Sequence, residues 1–205
     1  MIKVKICGLT RIEDVEWANK LMPDYVGFVF APSRRKIDPK KAGLIAGQLN
    51  RKIKRVGVFV NPSIQEIEEV VRWCPLDIIQ LHGDESPEFC RSIPMPVWKA
   101  FRISSNGILP DMKDYDVEAF LLDGYHPKGY GGMNQTFPWE LTKKMDLDGK
   151  RIILAGGINS SNVLEAISIV NPYAVDVSSG VETDGVKDPE KISEFIRKVR
   201  GLNDR

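Results

Sequence analysis

The sequence predicts an α/β fold, a single (β/α)8 barrel that takes up residues 1–205 as one domain. Eight apolar runs rich in β-branched residues recur along the chain, and helix-start signals separate them. Most of these runs are continuous rather than alternating, which is typical of parallel strands buried on both faces. The count favours the closed TIM barrel; a doubly wound open sheet is the alternative, because it uses the same βα units.

The predicted strands are spread evenly from the N-terminus onward. In order they are IKVKIC near residue 3, YVGFVF near 25, RVGVFV near 55, DIIQL near 77, VWKAF near 97, AFLL near 119, RIILA near 151 and YAVDV near 173. No linker or low-complexity segment divides them, so the pattern predicts one domain.

The segments between these strands carry residues that start helices. Capping-box spacing occurs twice, and three further starts place a capping side chain before a proline at the first helical position; they are Thr10 with Glu13, Ser63 with Glu66, Asp38-Pro39, Ser86-Pro87 and Asp188-Pro189. Two connections are irregular. The one after strand five predicts a poor or missing helix, and a long glycine-rich loop after strand six precedes a short helical stretch from Glu140 to Met145.

Composition narrows the class of partner. The 29 Lys and Arg residues nearly balance the 28 Asp and Glu residues, which argues against nucleic acid and an acidic membrane surface and favours a small molecule. The N-terminus lacks the features of a signal peptide, and no apolar run is long enough to span a bilayer. Three widely spaced cysteines do not form a disulfide framework, so we expect a cytoplasmic protein.

Chemistry is expected where the strands end, because ligands bind at the carboxyl ends of the strands in either architecture. The residues that follow the apolar runs are Cys7-Gly8, Arg34-Arg35, Asn61, Gln80-His82-Gly83, Lys99 and Arg102, Asp123, Gly156-Gly157 and Ser178-Ser179-Gly180. All of them would converge on one mouth of the barrel.

The loops after strands seven and eight predict a phosphate site. AGGINSSNV and DVSSGVE place glycines and small polar residues at helix starts, where free N–H groups and the helix dipole favour an anion. The predicted phosphate-binding residues are Gly156, Gly157, Asn159, Asp176, Ser178, Ser179 and Gly180. The alternative is that these glycines only make tight turns.

A carboxyl group and a thiol are candidates for acid/base work. Asp123 ends the apolar stretch AFLLD, and burial of this kind keeps a carboxyl group protonated near neutral pH, as a general acid requires. A structural aspartate that accepts backbone N–H bonds is the alternative. Cys7 is either a core residue or a nucleophile or base, since a thiol with a pKa of about 8.5 needs only a modest lowering to ionise.

Arg35 and His82 have competing interpretations. An arginine at a strand end suits bidentate binding of a carboxylate, although SRRK could equally be a solvated basic loop. A histidine such as His82 is more often a hydrogen-bonded structural residue than a catalyst. Neither His82 nor His126 has neighbours at metal-ligand spacing, so the sequence predicts no metal site.

Eight motifs follow one another in the same order as in a known family. KICGLT, GFVF with SRRKIDP, RVGVFVN, QLHGDE, LLD, YGG with TFPW, AGGIN, and AVDVSSGVE with GVKD look like phosphoribosylanthranilate isomerase of tryptophan biosynthesis, from Lys5 to about Asp188. The resemblance implies a cofactor-independent Amadori rearrangement of N-(5'-phosphoribosyl)anthranilate in a (β/α)8 barrel.

Residue roles follow from that resemblance. It implies that Cys7 is the general base, Asp123 the general acid and Arg35 the ligand of the anthranilate carboxylate, with GGIN and SSG holding the phosphate. Further candidates for contact with the substrate are Gln80, His82, Gly131 and Gly132. The expected partner is this phosphorylated small molecule, and the expected assembly is a monomer or homodimer.

Two other functions compete with this one. A different sugar-phosphate barrel, such as an epimerase or an indole-forming synthase, would share the phosphate loops, but the combination of Cys7, Asp123 and Arg35 argues against it. A non-catalytic sensor of a phosphorylated ligand would bind without needing Cys7 at all.

Overall fold

The computed structural model describes residues 1–104, 106, 109–124, 136–145 and 149–201. In this part of the chain eight parallel strands pair in chain order, and the eighth returns to the first to close a barrel. They are β1 (Lys3–Cys7), β2 (Tyr25–Val29), β3 (Lys54–Phe59), β4 (Ile78–Leu81), β5 (Val97–Ile103), β6 (Ala119–Gly124), β7 (Arg151–Leu154) and β8 (Ala174–Val177). The predicted (β/α)8 barrel is confirmed, and the open doubly wound sheet is wrong.

Helices cover the outside of the barrel. Within the described ranges they are α1 (Ile12–Leu21), α2 (Pro39–Ala46), α3 (Ile64–Trp73), α4 (Pro87–Ser92), α5 (Val163–Val170) and α6 (Pro189–Gly201). No helix in this part of the chain combines the length and the apolar character needed to cross a bilayer. All three cysteines are free, as their spacing predicted.

Four of the five predicted helix starts are confirmed. Asp38, Ser63, Ser86 and Asp188 each accept hydrogen bonds from backbone N–H groups of the turn that follows. The fifth, Thr10 with Glu13, is wrong by one residue.

The helix α1 begins at Ile12, so its third residue is Asp14 rather than Glu13. The Asp14 carboxylate accepts the N–H groups of Thr10 and Arg11 at 3.0 and 3.1 Å, because only a carboxylate at this position reaches back over the first turn.

The structure of the two irregular connections agrees in part with the sequence-based prediction. The described residues between β5 and β6 form no helix, and Tyr115 packs edge-on against Phe101 with ring centroids 5.1 Å apart. A 3-10 helix spans Trp139–Lys144, one residue earlier than predicted. After β8 a 3-10 turn (Ser179–Val181) leads into a hairpin, β9 (Glu182–Thr183) and β10 (Val186–Lys187), that sequence reasoning missed.

The alternating direction of side chains along each strand determines which of them point into the barrel. An apolar layer fills the interior near the amino ends of the strands, with Trp98 fully buried at its centre; its members include Tyr25, Val56, Ile78, Trp98, Ala119, Ile153 and Ala174. Successive side chains point to opposite faces, so Cys7, His82 and Asp123 lie on this same interior face, at the carboxyl ends of their strands. The fold thus brings distant strand ends to one mouth.

Substitution of Gly43 tests how closely the helices pack on the outside of the barrel. A Cβ atom placed on this α2 residue would lie 2.0 Å from the carbonyl oxygen of Trp73, at the end of α3. We expect Gly43→Ala to lower the free energy of unfolding by about 1–3 kcal/mol, because overpacking outweighs the helix propensity that alanine gains. Urea unfolding followed by circular dichroism measures this difference.

Gly201→Ala is the matched control, since a Cβ at this position in α6 meets no atom within 4 Å. The control is expected to change stability by less than about 0.5 kcal/mol. A Gly43→Ala protein as stable as wild type would contradict the close approach of α2 to the end of α3.

Candidate active site

The carboxyl ends of the strands surround a cavity of about 440 Å³. Ten of the predicted site residues line it: Cys7, Arg35, Gln80, His82, Asp123, Gly156, Gly157, Asp176, Ser178 and Ser179. Asn159 and Gly180 lie beside the cavity in the same two loops, whereas Gly131 and Gly132 fall outside the described residues. The structure therefore gathers in one place residues that are spread over most of the chain.

Cys7 is the last residue of β1 and is 8% exposed. It pairs in register with Gly27 of β2, and a Cβ on Gly27 would lie 2.7 Å from Cys7 Sγ. The glycine therefore leaves room for the thiol to turn into the cavity. Two residues earlier on the same face, Lys5 is fully buried and its Nζ lies 2.8 Å from Asp176 Oδ2.

The electrostatic surroundings of Cys7 act in opposite directions. Burial raises the pKa of the thiol, and the positive charges of Lys5 and Lys187 oppose that rise without cancelling it. Burial also disfavours charge on Lys5, but Asp176 and Cys7 more than offset this and raise the pKa of Lys5, so its ammonium group stays charged. A raised pKa means that the Cys7 thiol ionises less readily than a free cysteine, and no local sequence feature reports the burial that causes this.

Asp123 ends the interior face of β6 and is 5% exposed. Its Oδ2 atom lies 3.1 Å from His82 Nε2, and His82 Nδ1 lies 2.9 Å from the side-chain amide nitrogen of Gln80. Gln80 and His82 are two residues apart along the same strand direction, so both face the cavity. The carboxyl group is thus the end of a short chain of buried hydrogen bonds.

Arg35 reaches the cavity from the loop after β2. Its Nε and Nη2 atoms donate to the two carboxylate oxygens of Glu182 at 2.7 and 2.9 Å, and Arg34 and Lys187 also pair with this carboxylate. Burial opposes ionisation of Glu182, but the hydrogen bonds from Arg35 and the charge of Lys187 prevail and lower its pKa. Gly8 makes the approach possible, since a Cβ there would lie 2.4 Å from Arg35 Cδ.

The loops after β7 and β8 form a glycine-rich wall. Gly156 and Gly157 both have positive φ angles, 80° and 63°, which glycine adopts without strain. Asn159 braces the loop by donating to the carbonyl of Gly157. A Cβ on Gly180 would lie 2.1 Å from the carbonyl oxygen of Ile158, so the two loops touch through backbone. Asn162 ends this loop as the N-cap residue of α5.

Sequence reasoning missed several features of the cavity. The only local signal for Lys5 is a lysine inside an apolar strand, and Glu182 carries none. Apolar side chains form part of the wall, a surface suited to an aromatic ring; they are Val29, Val58, Val60, Ala155 and Ile158.

Other polar residues at strand ends make contacts that stabilise the fold rather than line the cavity. Lys99, predicted at the mouth, is buried against Glu85 with Nζ 3.0 Å from Oε2. Asn61 adopts a positive φ angle and accepts the N–H of Asp84. Among the described residues, no group of three side chains is arranged to hold a metal ion.

Known proteins similar to this chain agree with the motifs. A family model described as N-(5'-phosphoribosyl)anthranilate (PRA) isomerase matches residues 4–198. The N-(5'-phosphoribosyl)anthranilate isomerase of Thermoanaerobacter sp. (strain X514) is 50% identical over 203 residues, which cover 98% of this chain and 100% of the relative. These findings confirm the resemblance that the sequence motifs indicate.

Two solved structures are similar over 98% of this chain and 100% of their own. One is phosphoribosyl anthranilate isomerase from Thermus thermophilus, with a TM-score of 0.88 and 38% identity. The other is a phosphoribosyl anthranilate isomerase in complex with reduced 1-(o-carboxyphenylamino)-1-deoxyribulose 5-phosphate, with a TM-score of 0.83 and 37% identity.

Proposed function

The chain belongs to the N-(5'-phosphoribosyl)anthranilate isomerase family, and we propose that its cavity converts N-(5'-phosphoribosyl)anthranilate to 1-(2-carboxyphenylamino)-1-deoxyribulose 5-phosphate by acid/base catalysis. One observation carries this proposal: a buried thiol and a buried carboxyl group line the same cavity, between an arginine and a glycine-rich pair of loops. The reaction is an Amadori rearrangement, an internal aldose-to-ketose isomerisation in tryptophan biosynthesis.

Asp123 acts first, as the general acid. As the ribose ring opens, its carboxyl group gives a proton to the ring oxygen, and the nitrogen lone pair forms an iminium with C1. The carboxyl group must therefore be protonated when substrate is bound. The carboxyl group is buried at the cavity, where it can reach a bound sugar, and its hydrogen-bond partner among the described residues is His82.

Cys7 then acts as the base. Its thiolate takes the proton from C2, the electrons of that bond move to the iminium, and the resulting enolamine tautomerises to the ketone. Both steps transfer protons and neither needs an electron carrier, so the proposed reaction runs without a cofactor. The closed order of strands places β1 and β6 three strands apart around the barrel, so the two groups reach the sugar from different sides.

Binding at both ends of the substrate would orient it between these groups. Arg35 would bind the anthranilate carboxylate through Nη1, because Nε and Nη2 donate to Glu182. The phosphate would lie against Gly156, Gly157, Ser178 and Ser179, whose loops also include Asn159 and Gly180. Asp176 carries a negative charge that repels phosphate, so we assign it to Lys5 instead. Such positioning lowers the barrier without touching the reacting carbons.

Turnover of freshly made N-(5'-phosphoribosyl)anthranilate tests the function, followed by the loss of its fluorescence. The wild-type protein is expected to consume the substrate and release the ketose product. An inactive, folded wild type would overturn the proposal in favour of another sugar-phosphate barrel enzyme or a sensor. Sedimentation of the same sample decides between monomer and homodimer, and the cytoplasmic location stays a prediction.

Lys5 provides a test of the base. Its ammonium group favours the Cys7 thiolate, so Lys5→Met is expected to raise the pKa of Cys7 further. A base works only when deprotonated; kcat/KM should therefore rise at higher pH than in wild type. At neutral pH we expect a loss of about tenfold, the change in thiolate fraction for one pKa unit. A pH profile of kcat/KM measures both effects.

Lys3→Met is the matched control, because Lys3 lies two residues away on the same face of β1 and pairs with Asp24 near the other end of the barrel. Its pH profile should match wild type. Since Lys5→Met leaves Asp176 buried without its partner, the double variant Lys5→Met/Asp176→Asn removes both charges. Unshifted profiles in both Lys5 variants would contradict the role of Lys5.

A further inference from the structure

A chain of three buried side chains leads away from the proposed acid. Gln80, His82 and Asp123 are 1%, 7% and 5% exposed, and hydrogen bonds of 2.9 and 3.1 Å connect them. His82 contacts its neighbours through both ring nitrogens. Whichever nitrogen carries the proton therefore decides which neighbour must accept and which must donate.

Among the described residues, His82 alone selects the orientation of the Gln80 amide. The Oε1 atom of Gln80 is buried and has no hydrogen-bond partner among the described residues. Rotating the amide by half a turn would exchange its oxygen and nitrogen without breaking any other hydrogen bond. The amide can therefore present either a donor or an acceptor to His82 Nδ1, and amide oxygen and nitrogen are distinguished only by such networks.

The two orientations give Asp123 opposite states. With the amide N–H donating to Nδ1, the proton of His82 lies on Nε2 and is donated to an Asp123 carboxylate. With the amide oxygen accepting from Nδ1–H, the Nε2 atom carries a lone pair and accepts a proton that Asp123 holds. The first arrangement buries a carboxylate with one donor among the described residues. The second buries no net charge, and its cost is the amide N–H groups of Gln80 that then lack an acceptor, which is smaller than the cost of a poorly paired charge.

We propose that Gln80 is a positioning residue, which holds His82 in the Nδ1–H form through its side-chain oxygen so that Asp123 keeps its proton. The inference deepens the proposed acid role of Asp123 and rests on it. A carboxylate opposite an Nε2 lone pair would lose the one donor that it has among the described residues, so this arrangement favours the acid form that ring opening requires. Gln80 itself touches none of the reacting atoms in this role.

The chain offers a direct test, because it contains only two histidines, His82 and His126. In protein labelled with 15N in the imidazole ring, the variant His126→Asn leaves one ring to observe. Nuclear magnetic resonance near neutral pH is expected to show a protonated Nδ1 and an unprotonated Nε2. A protonated Nε2, alone or together with a protonated Nδ1, would overturn the inference. This measurement needs no substrate, so its failure is distinct from failure of the proposed function.

The variant Gln80→Leu removes the acceptor for Nδ1–H. In the His126→Asn background its ring should shift toward the Nε2–H form. With His126 intact, kcat should fall about tenfold or more while KM changes little. Losses of this size are usual when a residue that orients an active-site side chain is removed.

Gln48→Leu is the control for the loss of a glutamine, since Gln48 is exposed and outside the cavity. It should leave the ring signals and kcat unchanged. If Gln80→Leu loses activity with an unchanged His82 ring signal, Gln80 is merely structural and the inference fails.

Discussion

Cys7→Ser is expected to reduce kcat by a factor of about 10²–10⁴, the usual contribution of a general base. Serine keeps the shape of the side chain, but its hydroxyl does not ionise near neutral pH. Burial raises the pKa of Cys7, so the wild-type rate should itself increase with pH until the thiolate dominates. Steady-state turnover from neutral to alkaline pH measures both the loss and the slope.

Cys90→Ser controls for the loss of a buried thiol. Cys90 lies on α4, is 2% exposed and lies outside the cavity, and burial raises its pKa to about 11. Its replacement should leave kcat within about twofold of wild type, since Cys90 does not line the cavity. Undiminished turnover by Cys7→Ser would remove the thiol from the mechanism.

Binding by the same Cys7→Ser protein separates an enzyme from a sensor. The reduced ketose phosphate analogue should bind it nearly as tightly as wild type, because Arg35 and the glycine loops remain. An enzyme loses turnover and keeps this binding, whereas a sensor has no turnover to lose. Calorimetric titration with the analogue therefore complements the kinetic measurement.

Much of the fold could be predicted because its determinants are local. Continuous apolar runs specify the parallel strands, and a capping residue such as Ser63 specifies where a helix begins. The candidate site could then be located from the predicted strand ends alone, since all eight carboxyl ends meet at one mouth of the barrel. The start of α1 shows the limit of this reasoning, because two acidic residues, Glu13 and Asp14, compete for one capping position.

The charged pairs around the site could not be predicted from local pattern. Lys5 and Asp176 are 171 residues apart in sequence, and Arg35 and Glu182 are 147 apart. Each pair forms only because the barrel closes between β1 and β8. The same closure buries Cys7, and this burial raises the pKa of its thiol. Topology, rather than residue type, sets the electrostatics of the site.

Asp123→Asn is expected to lower kcat by a comparable factor of about 10²–10⁴, with KM little changed. The amide has nearly the same shape and can still bond to His82, but it has no proton to give to the ring oxygen. The rise of the rate with pH that depends on Cys7 should persist, because the thiol is unchanged in this variant. A pH profile of kcat measures both the loss and this rise.

Asp116→Asn is the control at the opposite end of the barrel. Asp116 precedes β6, its side chain is 85% exposed, and its bond to Lys150 lies on the surface, so its replacement should leave the profile unchanged. The double variant Cys7→Ser/Asp123→Asn should be less impaired than the product of the single losses, because the two groups act in successive steps and the slower step limits the overall rate. Full multiplicative losses would instead mean that the two groups act independently, and an Asp123→Asn enzyme with wild-type turnover would assign the acid to another group.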